Sequence, residues 1–142
     1  MKRLLIAALA VASLGSHAGL TDPHVSNTLR LYGECAWYRA RSGGTYAERQ
    51  KDGPALDRAA LALAREFWGY FYDVGSADIK RGMSRDFFIG MYFGRDTAEG
   101  EADAERRFVG RVGGVAKIDE QATQAARYLY TERNCNLLAR SP

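Results

Sequence analysis

Apolar residues recur along this chain at spacings of three and four, with no run of strict alternation, so the pattern predicts helices throughout. Val25, Leu29, Tyr32 and Ala36 form one face of a first helix. Thr21-Asp22-Pro23 supplies its start, a cap followed by a proline whose missing N–H costs nothing at the first helical position. Gly43-Gly44 ends the segment, which places the helix at 23–41, followed by a polar connection over 42–53. Asp52-Gly53-Pro54 repeats the start signal. Leu56, Ala60, Leu63, Phe67, Tyr70 and Val74 then follow at alternating spacings of four and three. Ala59, Ala62, Trp68 and Tyr72 add apolar surface around the same axis, so 54–73 reads as a central helix covered by several neighbours, with Leu63 and Phe67 nearly inaccessible.

Beyond Gly75 the signals are more mixed. Ile79, Met83, Phe87 and Met91 keep a helical spacing, while Gly82, Gly90 and Gly94 each weaken a helix interior by about 1 kcal/mol. The reading is a helix from Ser84 to about 93, with 76–82 a short helical turn or loop. Gly90 and Gly94 are expected to admit the backbone of a neighbour. Thr97 then caps a separate helix whose acidic start (Glu99, Glu101, Asp103, Glu105) and basic end (Arg106, Arg107, Arg111) match the helix dipole. Gly113-Gly114 terminates it, and Asp119 caps a last helix over about 120–139. The fold class is all-α, a bundle of about five helices.

The first eighteen residues follow a different rule. Lys2 and Arg3 precede an apolar run from Leu4 to Leu14, and Ser16-His17-Ala18 places small residues at a cleavage site. That is the layout of a secretory signal peptide, and it is shorter than the roughly 20 apolar residues of a stable membrane span. No cysteine follows the cleavage site, as a lipid-anchored protein requires. Residues 1–18 are therefore expected to be removed, leaving 19–142 as one helical domain in the periplasm or outside the cell. Without Lys2 and Arg3 the 20 cations fall to 18 against 17 acids, so the net charge drops from +3 to +1. With no clustered basic face, nucleic acid is set aside as a partner. Fifteen of the 18 remaining cations are arginine, which a GC-rich genome encodes preferentially and which is also the cation enriched in protein interfaces.

Export makes the two cysteines, Cys35 and Cys135, a disulfide. A bond across 100 positions implies roughly 4–5 kcal/mol in the chain-entropy model. The alternative, a nucleophilic thiol with His24 as its base, needs a reducing compartment. One mature histidine and two bonded cysteines do not make a zinc set, and the alternating acids at 99–105 lack the glycine and bidentate glutamate of a calcium loop, so no metal is expected. No GxSxG, phosphate loop, HExxH or SxxK occurs, and no cofactor is implied. Glu34 and Glu66 are the acids embedded in apolar sequence. Burial could fit either as the general acid of a small envelope hydrolase acting on cell-wall glycan or peptide. The competing reading is an ion pair, Glu34 with Arg30 or Arg41 and Glu66 with arginines near Arg65.

Nine of the sixteen aromatics crowd into 67–72 and 87–93. Successive helical residues point about 100° apart, so these rings do not all face one core. The surplus marks either a candidate interface, with Phe88, Tyr92, Phe93 and Arg95 as its expected members, or a two-sided core in which other helices cover the excess. The layout of the mature chain resembles small, exported, all-helical bacterial proteins with one disulfide that bind a partner protein in the periplasm, the immunity proteins against cell-wall amidase toxins among them. That resemblance implies a non-enzymatic binder or inhibitor whose partner is another envelope or secreted protein, with a second copy of the chain as the alternative.

Overall fold

A computed structural model of the chain describes residues 22–43, 45–113 and 120–140. The leader 1–18, the Thr21 cap, Gly114 and the Asp119 cap lie outside these residues. The described elements are all helical: α1 (Asp22–Arg41), α2 (Tyr46–Val74), α3 (Ala77–Gly82), α4 (Arg85–Arg111), α5 (Glu120–Glu132) and α6 (Cys135–Leu138). Among the described residues there is no strand, and no helix is long and apolar enough to cross a membrane.

Helix α2 begins two turns earlier than Asp52-Gly53-Pro54 suggests. Thr45 accepts from the Glu48 N–H while the Glu48 carboxylate accepts from the Thr45 N–H, a capping box that outweighs the internal Pro54. These hydrogen bonds hold the Glu48 carboxyl below its usual range. The buried stripe of α2 is Leu56, Ala60, Ala64, Phe67 and Trp68, not the strict heptad. A straight α-helix drifts by about 20° per heptad against a 3.5-residue repeat. Leu63 is consequently half-buried, and Tyr70 and Val74 come to the surface.

The expected break before Thr97 is absent, and α4 runs unbroken through Gly90, Gly94 and Thr97. The Thr97 hydroxyl donates back to the Phe93 carbonyl at 2.9 Å, so it serves no cap. The close approach of backbones occurs at other glycines. A Cβ built on Gly33 of α1 would lie 2.2 Å from the Thr97 carbonyl oxygen, and one on Gly100 of α4 would lie 1.9 Å from that of Arg30. The two helices therefore cross backbone to backbone. Gly90 and Gly94 face open space.

Around this crossing α1 buries Val25, Leu29, Tyr32, Cys35 and Tyr38, while α4 contributes Ala104 and Phe108. From α5, Ala122, Ala126 and Leu129 close the remaining side. The last predicted helix is split at Asn134, which adopts a left-handed backbone (φ 54°) that asparagine tolerates. This turn brings Cys135 to Cys35 with a Cα–Cα distance of 5.4 Å, and the two form the disulfide.

Candidate functional site

Two buried carboxylates organise the polar chemistry. Glu34 is only 5% exposed. Its Oε1 accepts from the Tyr38 hydroxyl at 3.2 Å and from Arg133 Nε at 3.1 Å, and Arg107 Nε lies at 3.2 Å. The partners expected from sequence were Arg30 and Arg41. Instead Arg30 pairs with Glu99, and the Arg41 guanidinium lies over the Trp37 ring at 4.8 Å. Neighbours along one helix lose here to α4 and the α5–α6 turn, which arrive directly above Glu34. Burial, with the Glu34 charge behind it, pushes the Tyr38 phenol well above its ordinary range. Glu66 is exposed on the outer face of α2, so the pocket environment a raised general acid requires is missing there.

The second carboxylate, Asp96, is fully buried, and sequence reasoning passed over it. It accepts from Trp68 Nε1 at 3.1 Å, Ser26 Oγ at 3.2 Å, and Arg95 Nε and Nη2 at 3.1 and 2.8 Å. One side chain thus ties α1, α2 and α4 together at one point, and its hydrogen bond is the main cause of the raised Arg95 pKa. The signal was the aspartate's phase. Asp96, Gly100, Ala104 and Phe108 recur every four residues on the inward face of α4.

Asp96 fixes the indole from which an aromatic ladder extends to the surface. Tyr92 stacks on Trp68 with ring centroids 4.3 Å apart and planes within 21°. Phe71 meets Trp68 at 5.8 Å and Tyr70 at 5.7 Å. The Arg95 guanidinium covers the other end, 4.7 Å from the Tyr92 centroid and 5.4 Å from that of Trp68. Tyr70, Phe71 and Val74 are exposed along α2, as are Phe87 (61%) and Met91 on α4.

Of the four residues singled out from sequence, Tyr92 and Arg95 stand in this ladder. Phe88 is buried against Tyr72 and Tyr92, and Phe93 is partly buried against the core. The exposed rings are their neighbours. Clustering of aromatics shows that some must face outward, but only the helix phase, set here by Asp96 and the glycine crossing, decides which.

The sulfur of Cys35 is bonded, so it offers no nucleophile to the exposed His24. Among the described residues no group of three or more His, Cys, Asp or Glu is placed to hold a metal ion. Aromatic rings edged by a guanidinium are the residue types that protein interfaces enrich. Comparison with known proteins finds no family model that matches the chain, and neither curated proteins nor solved structures give a match.

Proposed function

We propose that this chain is an exported, non-enzymatic binding protein of the inhibitor or immunity kind, and that its partner is another envelope or secreted protein. The observation that carries the reading is the ring ladder Tyr70–Phe71–Trp68–Tyr92 with Arg95 over its end. Aromatics and arginine in contact, anchored on a buried indole and open to solvent, have the composition of an interface hot spot. Contiguous exposed apolar surface on a folded domain marks such contacts. The leader pattern of residues 1–18 and the disulfide support export, since such bonds persist in oxidising compartments. The hydrolase alternative gains no support from its two candidate acids, one sealed by cations and the other on an outer face.

The test is affinity capture from envelope extract with mature protein and with Tyr70→Glu and Phe87→Glu. Both rings are exposed, so each variant should keep its helicity and melting temperature while losing the captured protein. Capture that survives both substitutions, or that retains nothing with the unaltered protein, would overturn the reading. N-terminal sequencing of the periplasmic fraction should find Gly19 first.

A further inference from the structure

Beside the α5–α6 turn, three arginine side chains line one cleft with a single buried acid behind them. Arg107 and Arg133 both reach Oε1 of Glu34 through Nε. One turn on, Arg111 lies over the Tyr128 ring, 4.3 Å from its centroid. These arginines, with Gly110, Leu129 and Glu132, line an open cleft of about 370 Å³. The side chain of Arg107 is 54% exposed and that of Arg133 is 30% exposed, so both reach solvent. Gly110 contributes no side chain, and a Cβ there would meet nothing within 4 Å.

We propose that this cleft is an oxyanion site that receives a carboxylate from an acidic segment of the partner protein. The inference rests on the protein-binding reading and extends it to a second contact. Three cations face two acids, Glu34 at the back and Glu132 on the rim, which leaves a surplus of one positive charge. That surplus matches a monoanion. A guanidinium fork fits a carboxylate edge-on through two parallel N–H donors. Glu34 holds Arg107 and Arg133 in place before any ligand arrives, while Arg111, over the Tyr128 ring, lines the edge that this cleft shares with the neighbouring hollow. Long side chains otherwise lose rotamer freedom on binding, and a cleft already ordered avoids most of that loss.

The experiment follows the arginine Nε–Hε resonances of the oxidised full domain by NMR. The probes are the blocked peptide acetyl-Asp-Glu-Asp-Glu-amide, its Asn-Gln-Asn-Gln counterpart and inorganic phosphate. The acidic peptide should shift Arg107, Arg111 and Arg133 saturably, and the amide peptide should not. Arg111→Gln leaves the Glu34 cluster intact and should weaken binding by about tenfold. Gly110→Leu removes no charge but fills the cleft, and should abolish binding with the fold retained. The inference is overturned by an absence of saturable shifts, by binding that survives Gly110→Leu, or by phosphate binding where the peptide does not. Neither variant touches the ring ladder. A silent cleft with ring-dependent capture intact therefore sinks this inference alone, and an absence of capture with the cleft binding sinks the proposed function.

Discussion

Gly100→Ala tests the helix crossing through the sign of its effect. In a helix interior alanine is preferred to glycine by about 1 kcal/mol, so an unobstructed site gains stability. At Gly100 the new methyl would sit 1.9 Å from the Arg30 carbonyl oxygen, 2.6 Å from its carbon and 2.8 Å from its Cα. Ordinary contact begins at 3.4 Å, so the helices must separate by a large part of that shortfall. All three obstructing atoms are backbone, and no rotamer change relieves them. Overpacking of this kind costs about 3 kcal/mol, at the upper end of the usual range because neither helix can yield locally. Subtracting the propensity gain leaves a net loss of about 2 kcal/mol. For a domain of this size that lowers Tm by about 6–12 °C. Gly94→Ala is the control on the same helix, with nothing within 4 Å of its Cβ, and should stabilise by about 0.5–1 kcal/mol. The assay is thermal melting by circular dichroism together with urea unfolding, with an unchanged m-value securing the comparison. If Gly100→Ala melts above the parent, as Gly94→Ala should, α1 and α4 do not cross at these residues and the placement of α4 is wrong.

Asp96→Ala leaves the buried Trp68 N–H without an acceptor and frees Ser26 and Arg95. Arg95 is half-exposed and rehydrates readily, so the expected loss is about 2–4 kcal/mol, most of it from the indole, read from urea unfolding and a shift in tryptophan emission. Cys135→Ala should lower stability by about 2–5 kcal/mol, and unreduced protein should weigh two hydrogens less than the dithiol, joined through Cys35. Burial foremost, then Glu34 beside Tyr38 and Asp52 beside Tyr130, raises both phenols above their ordinary pKa. The unfolded chain ionises them near pH 10, so their contribution is whole below about pH 10 and drains away above it. Melting temperature measured across that range should fall, and less steeply in Tyr38→Phe. A profile unchanged by that substitution would show that Tyr38 does not contribute to the slope.

Periodicity revealed α1, the middle of α2 and the all-helical class because those segments repeat their apolar face over several turns. It misplaced boundaries wherever a local signal competed with a stronger one. Pro54 resembles a start, yet Thr45 and Glu48 satisfy two backbone donors and begin the helix earlier. Thr97 resembles a cap, yet its hydroxyl bonds backward and its own carbonyl is pressed against Gly33. Gly90 and Gly94 stand four apart on one helix, yet both face open space, whereas the close-packing pair, 33 and 100, lies on different helices and shares no local pattern. Glu34 lies in apolar sequence and is buried in the fold, but its partners come from residues 107 and 133, beyond the reach of any local rule. The ring surplus was legible as a surplus. Its outward members, Tyr70, Phe71 and Phe87, follow from helix phase, which one sequence fixes only to within a residue or so.

The bond between α1 and α6 turns everything from Cys35 to Cys135 into a covalent ring that contains α2 to α5. A protease that cuts once inside this ring does not release a fragment. Both strands stay attached and at high effective concentration, able to reassemble around the same core. A nicked molecule would run as intact protein on a gel without reductant and as two pieces with it. Survival of a single cut is a form of durability that no gain in folding free energy supplies.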